Sequence, residues 1–459
     1  MFTDISDWIT HNPPARSLGV AVLDVDGDGR FEFVIAGSAG PNRVLKCVGG
    51  QLRDATPPAL AEPDRSAVGL AAGDLDGDGV EELYILHPEP VLGSKPTADR
   101  LFKRNLDGNW ADLFARPENR TIRNPGSGRS VAVLDRRGVG RYGFYISNSG
   151  RPARLYEMTP DGVLTDLAPA LALAHVTAGQ GVLAAPLFAT HTDLFCANED
   201  GPNVLFRNHG DGTFRECAGE LRLADAEEHG RGVTVVDAGG QLALCWGNWD
   251  GPHRLMVPQH DGTWRDRATP GLAFPAGVQN VIAADFDNDG ADELFFHNRS
   301  EANRLFRVGP GNDPDVRKLD PGQAAEPDGL GTGAAVADID GDGVLELLLS
   351  HGDPDPQPLG MYKATTAAGN GWLRVFPLTR FGAPARGAVV RAEAAGRTRV
   401  KVIDGGSGYL CQMEPVAHFG LGDVRSVDRV TVTWPDGTAA VVENPPINRL
   451  HTVPFPYGV

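Results

Sequence analysis

The chain has 459 residues and a formal net charge of −18, with 60 Asp and Glu against 42 Lys and Arg. Acidity on that scale argues against nucleic acid or an anionic membrane as partner, and no apolar run approaches the length of a membrane-spanning helix. With 58 Gly and 35 Pro, the composition points to many short strands and turns, and the length exceeds a single ordinary core unless the chain is a repeat array.

The N-terminus, MFTDISDW, has neither a basic n-region nor an apolar h-region. It predicts a cytoplasmic protein, or a secreted one if a leader has been removed. Asp24 to Glu32 then reads Asp-Val-Asp-Gly-Asp-Gly-Arg-Phe-Glu, placing acids at positions 1, 3, 5 and 9 of a loop. Hard divalent cations need oxygen ligands, and Asp24, Asp26, Asp28, a main-chain carbonyl and Glu32 supply about six, while Gly29 permits the sharp turn. The pattern recurs at Asp74, Asp76, Asp78 and Glu82, at Asp285, Asp287, Asp289 and Glu293, and at Asp338, Asp340, Asp342 and Glu346. An EF-hand would close with an acid at position 12, but Ile35, Ile85, Phe296 and Leu349 stand there, inside β-rich runs. The expectation is therefore about four structural Ca²⁺ sites in strand-to-strand corners.

Seven units of "apolar strand, corner, apolar strand" have corners starting at Asp24, Asp74, Asp135, Pro186, Asp237, Asp285 and Asp338, a period suited to four-stranded propeller blades. A third element such as Asn203 to Asn208 and an Asp-Gly hairpin complete a unit. The seventh lacks its last strand, and Phe2 to Ile5 reads as that piece, closing the ring. The corners at Asp135, Pro186 and Asp237 have decayed, losing the acids of positions 3, 5 and 9, and are expected to bind no calcium. Five cysteines without CxxC spacing form neither a zinc site nor a disulfide framework. From Trp372 onward, alternating strands at Trp372 to Leu378, Ala388 to Ala392, Thr398 to Val402 and Val430 to Trp434 predict a small antiparallel β domain.

These motifs resemble a known pairing. Residues 15 to 365 are similar to FG-GAP or VCBS repeats of integrin-type propellers. Residues 370 to 455 resemble the ASPIC/UnbV domain through Gly408-Tyr409-Leu410, Gln412, His418-Phe419-Gly420-Leu421-Gly422, Val427-Asp428 and Trp434-Pro435-Asp436-Gly437. The pairing is that of the cartilage acidic protein family and its bacterial relatives. The resemblance implies a calcium-stabilised propeller with binding roles, many secreted members, and some bacterial members associated with natural-product gene clusters; it fixes no single activity.

The predicted fold is all-β: a seven-bladed propeller over residues 1–365 and an ASPIC/UnbV-like β domain over 366–459. Six residues before each corner, on the face opposite the acidic loops, stand Leu18, Val68, Arg129, Gln180, Arg231, Gln279 and Thr332. Polarity begins where the acids are lost. Asn148, Asn198, Asn248 and Asn298 end the second strands and read as turn caps. Blade five adds His229, Trp249, Asp250 and His253, so the expected ligand set is Arg129, Gln180, Arg231, Trp249, Asp250 and Gln279, facing a small molecule or protein partner on blades three to six. The alternative is a cofactor-independent, non-redox cyclising or isomerising enzyme of natural-product biosynthesis in which His229, Arg231, His253 or Arg129 polarises the substrate. His418 and Tyr409 read as packing residues.

Overall fold

Seven four-stranded antiparallel blades form a closed ring in the computed structural model, which describes residues 1–88, 98–126, 128–367 and 369–457. Each innermost strand touches that of the next blade, and Gly331–Ala337 of blade seven touches Ser17–Leu23 of blade one. Blade one sets the pattern with Ser17–Leu23, Glu32–Gly37, Arg43–Val48 and Gln51–Asp54. Its second strand is buried throughout because both faces meet neighbouring blades, whereas the outer strand alternates and buries only Leu52. Between blades two and three the filling is aromatic, with Tyr84, Phe114, Phe144 and Tyr156 in mutual contact.

The N-terminal strand Phe2–Asp4 pairs with Gly360–Ala364 in the register Phe2↔Ala364 to Asp4↔Tyr362, so the two ends of the propeller share blade seven. Phe2 is buried and meets Phe286 edge-on at 4.9 Å. Blades three and four differ from the seven separate units expected. Gly143–Pro152 continues past Asn148 and pairs with Val176–Ala185, fusing both blades into one eight-stranded sheet.

The C-terminal region contains two sheets. One has the order Arg397–Val402, Val389–Ala394, Arg429–Thr433, Ala439–Glu443; the other is Ala417–Gly422, Gly371–Pro377, Leu450–Val453. The antiparallel expectation needs correction here, because Leu450–Val453 runs parallel to Gly371–Pro377. Leu373, Val390, Phe419, Val432 and Trp434 fill the space between the sheets. This region packs on the acidic-loop face. Arg386 Nε donates to Glu81 at 2.7 Å, Lys401 pairs with Asp292, and Arg374 donates to Asp338 at 2.9 Å. His418 does more than pack beside Phe419: its Nε2 lies 2.6 Å from Asn288 Oδ1, inside the blade-six loop.

Residues 404–414 leave this region and enter the propeller channel. An innermost strand has one edge unpaired, facing the channel, and its polar groups need partners there. Val133 N donates to Gly405 O, Ala184 N to Gly406 O, Val233 and Gly408 exchange bonds, and Val22 N donates to Gln412 O. Gln412 Oε1 accepts from Ala72 N at 2.7 Å, while its Nε2 donates to Ala72 O and Gly405 O at 3.0 Å each. Asn280 Oδ1 accepts from Tyr409 N at 3.0 Å, and Ala334 N faces Cys411 Sγ at 3.3 Å. The inserted segment thus touches the inner strand of every blade. Room for it depends on small residues: a Cβ on Gly19 would lie 2.2 Å from Leu410 O, and one on Gly333 2.9 Å from Cys411 Sγ.

Two substitutions test the closure and the plug. Phe2→Ala removes a buried ring from the closing strand and is expected to cost about 3–5 kcal/mol. Gln412→Ala strands the buried main-chain N–H and C=O of Ala72 and is expected to cost about 3 kcal/mol. Both are read from urea denaturation midpoints, and a wild-type midpoint for Gln412→Ala would contradict the role given to the plug.

Candidate binding sites: the acidic corners and the channel mouth

The four acid-rich corners share one construction. The first Asp turns its carboxylate inward onto the loop's own amides: Asp24 accepts from Gly27 N at 2.6 Å and Gly29 N at 2.9 Å, and Asp338 from Gly341 N at 2.8 Å and Gly343 N at 3.0 Å. The closing Glu reaches back to the amide after the first Asp, as Glu32 to Val25 at 2.8 Å, Glu82 to Leu75 at 2.7 Å, Glu293 to Phe286 at 3.0 Å and Glu346 to Ile339 at 2.8 Å. In each corner three carboxylates bring oxygens within 4.8 Å of one another or, in blades six and two, the three Asp do so. Asp76 Oδ1, Asp285 Oδ1 and Glu293 Oε1 are buried without a hydrogen-bond partner. Burial raises Glu32 to about 7 and Glu82, Asp285 and Glu346 to about 8. Convergent oxygens with unmet polarity suit a hard divalent cation.

A basic residue on each third strand completes these corners. Lys46 Nζ lies 2.6 Å from Asp28, Lys103 Nζ 2.6 Å from Asp76 and Asp78, Arg307 Nε 2.8 Å from Asp289, and Lys363 Nζ 2.8 Å from Asp340. Each corner thus sets more carboxylates than cations, even in blade seven where Arg374 joins Lys363. The corners without acids change this position in step. Blade three has Glu157 there, paired with Arg136; blade four has Arg207, stacked 4.8 Å over Phe188; blade five has Val257, packed with Ala238.

On the opposite face the channel opens into a cavity of about 400 Å³ lined by residues including Arg129, Arg231, Trp249, Gln279, Arg299 and Tyr409. Leu18, Val68 and Thr332 of the same column also line it, so all its members but Gln180 gather around one mouth. Arg231 lies 5.2 Å over the Trp249 ring and pairs with Glu199, while Arg299 lies 3.8 Å from Asp353. Tyr409 and Leu410, at the tip of the plug, contribute to the wall. Burial raises the Tyr409 phenol, so it stays protonated as a donor.

Several expected site residues stand elsewhere. His253 is fully buried: its Nδ1 accepts from Asn248 N at 3.1 Å and its ring stacks on Phe296 at 5.0 Å, so it caps a turn and cannot reach Arg231. Burial lowers its pKa to about 3. His229 is half-exposed, with Nδ1 against Glu199 O, and does not line the cavity. Gln180 is spent on Glu199, and Asp250 occupies a left-handed turn at φ 51° outside the lining. The mouth is central and draws on blades one, two and seven as well as three, five and six, rather than on a three-to-six sector. The Asn caps behave as read: Asn148, Asn198, Asn248 and Asn298 each donate to the carbonyl four residues on, at 2.6–2.7 Å. Among these candidates no acid–base pair is assembled.

Sequence reading missed the plug and the basic column. One signal was available, because five residues before each corner the chain has Gly19, Gly69, Ser130, Gly181, Gly232, Asn280 and Gly333. A column of small residues, five of seven glycine, marks a crowded channel, and its largest member, Asn280, grips the plug.

A closed propeller with acidic corners, plugged by a motif-bearing β domain, defines an acid-cornered propeller of the FG-GAP class. The FG-GAP-like repeat profile matches residues 24–85 and the ASPIC and UnbV profile residues 379–456. Cartilage acidic protein 1 of Xenopus tropicalis is 44% identical over 100% of this chain and 77% of its own length, and the Homo sapiens protein is 44% identical over 95% of this chain and 72% of its own. The chain belongs to the cartilage acidic protein family. Among solved structures, BBS1N in complex with ARL6DN aligns over 80% of this chain and 98% of that chain with a TM-score of 0.47 at 12% identity, too loose a likeness to argue from. These relatives give no support to a cytoplasmic location or to the cyclising-enzyme alternative. No helix among the described residues is long and apolar enough to cross a membrane.

The corner acids set a pH dependence. Burial holds Glu32 at about 7 and Glu82 and Glu346 at about 8, whereas an unfolded Glu titrates near about 4.3. Between those values the metal-free folded chain binds more protons than the unfolded one, so its stability falls as pH rises from about 5 to about 8. In EDTA the melting temperature is expected to decline across that range. Added Ca²⁺ is expected to raise it more at the alkaline end, measured by differential scanning fluorimetry with matched ionic strength.

Proposed function

We propose that this protein is a calcium-stabilised recognition propeller whose channel mouth binds an anionic group presented by a small molecule or a partner surface. The observation that carries this reading is the rim itself. Arg129, Arg231 and Arg299 outnumber the one lining carboxylate, Asp353, at one concave opening of a chain whose net charge is −18, beside the aromatic faces of Trp249 and Tyr409. An acidic surface repels anions in general, while a local cluster of guanidiniums in a cleft attracts one there and offers planar donors to carboxylate, phosphate or sulfate. Trp249 adds a flat apolar wall, already in contact with Arg231.

The acidic corners play the supporting part. Asp24, Asp26, Asp28 and Glu32, with their equivalents in blades two, six and seven, would hold Ca²⁺, which neutralises carboxylates that otherwise repel one another between strands. Relatives named for cartilage favour a secreted protein, working where calcium is plentiful.

The test is a thermal-shift panel of small carboxylates, phosphates and sulfates in saturating Ca²⁺, followed by titration of the best compound. Arg129→Ala and Arg231→Ala are each expected to weaken binding by about tenfold or more, since a charge-assisted bond contributes about 1.5–3 kcal/mol. Trp249→Ala is expected to do so by less, and added salt to weaken wild type more than either arginine variant. Binding that ignores both arginine substitutions would place the site elsewhere.

A further inference from the structure

Three linkers between blades carry an acid in a left-handed turn: Glu62 at φ 41°, Asp225 at φ 41° and Glu326 at φ 37°. Two of them are neutralised by the arginine that opens the next third strand. Arg100 lies 3.4 Å from Glu62, with Arg65 also at 3.4 Å and His87 Nε2 at 3.3 Å, and Arg254 lies 2.7 Å from Asp225. Before blade seven the arginine is gone. Gly360 stands in its place, and a Cβ there would come within 2.7 Å of Glu326 Oε1. Among the described residues, the ion-pair partner of Glu326 is His351, whose Nε2 is 3.0 Å from Oε2.

A third group converges on the same spot. His297, at the end of the second strand of blade six, is completely buried, and neither of its ring nitrogens makes a well-formed hydrogen bond, the main chain of Gly333 being a polar neighbour besides His351 and Glu326. Its ring lies edge-on to His351 with centroids 5.4 Å apart, and ligand atoms of His297, Glu326 and His351 all lie within 4.8 Å of one another. At the other two interfaces the position of His297 is occupied by Ala36 or Ala197. One interface has therefore lost a guanidinium, kept the acid and gained an imidazole.

The surroundings orient these groups. His351 Nδ1 lies 2.9 Å from Pro358 O, which places its proton on Nδ1 and leaves the Nε2 lone pair aimed at the carboxylate. Two lone pairs at that distance require a positive centre between or beside them. Tyr362 donates to Glu326 Oε1 at 2.5 Å and Asn303 Nδ2 to Oε2 at 3.2 Å, the outer contacts that typically fix a ligating carboxylate. Space for the His297 ring comes from Gly331, where a Cβ would lie 2.6 Å from His297 Nε2. A proton on His351 would answer the contact with Glu326 but leave His297 without a well-formed hydrogen bond. A metal ion answers all three. Two imidazoles and one carboxylate suit a first-row divalent transition metal such as Zn²⁺ and differ in kind from the all-oxygen corners on the opposite face.

We propose that His297, Glu326 and His351 form a transition-metal site that joins blade six to blade seven. Glu326 keeps a partly exposed edge, which gives the ion a way in.

The experiment uses the full chain, stripped of metal and then saturated with Ca²⁺ so that the acidic corners do not compete. Zn²⁺ is titrated against a chromophoric chelator, and Co²⁺ is added in parallel to read ligand-field absorption in the visible. One Zn²⁺ per chain is expected, with a Co²⁺ spectrum of low coordination number. His297→Ala and His351→Asn are chosen because Ala36 and Asn248 occupy the equivalent places in other blades, so both are compatible with the fold. Each is expected to lower Zn²⁺ affinity by about 100-fold or more and to abolish the Co²⁺ band. Glu62→Gln, at the interface that keeps its arginines, is expected to change neither. Absence of a stoichiometric site in the Ca²⁺-saturated protein, or Zn²⁺ binding unchanged in His297→Ala with native melting behaviour, overturns the proposal.

Discussion

The structure depends on the pairing of seven inner strand edges with one inserted segment. A propeller joins its blades into a ring, but each innermost strand still turns a row of main-chain donors and acceptors toward the channel. Residues 404–414 meet them with main-chain atoms and with the amides of Gln412 and Asn280, touching all seven blades. Buried amides and carbonyls left without partners are costly. The plug therefore does for the centre of the ring what Phe2–Asp4 does for its perimeter.

The same segment joins two faces that would otherwise be independent. At one end it continues into a domain whose Arg374, His418 and Gly420 contact the acidic corners of blades six and seven. At the other end it presents Tyr409 and Leu410 to the mouth. The floor of the candidate recognition site thus belongs to the C-terminal region, while its rim belongs to the propeller. A chain carrying only the repeats would lack part of its own pocket wall.

The polar chemistry follows from how each blade balances charge. Where a corner keeps its acids, the third strand supplies Lys46, Lys103, Arg307 or Lys363; where the acids are lost, that position becomes an acid paired with arginine, an arginine over phenylalanine, or valine in the core. The linker acids obey the same logic, being matched by arginine at two interfaces, with His87 also beside Glu62 at the first, and by imidazoles alone at the third. Such substitutions are coupled because an unbalanced charge at a blade interface has little solvent to screen it.

Blade count, the closing strand, the acidic corners and the Asn caps were legible in the sequence because each is encoded over a few neighbouring residues with a repeating register. Alternating acids specify a corner wherever they occur, and an Asn two residues before a turn satisfies that turn locally. The position of His253 beneath the surface, the fusion of blades three and four, the parallel strand pair and the plug were decided by tertiary structure alone. They rest on contacts between residues far apart in the chain, such as Gln412 with Ala72 or His297 with His351, and no local pattern of spacing specifies which distant edge a segment will meet.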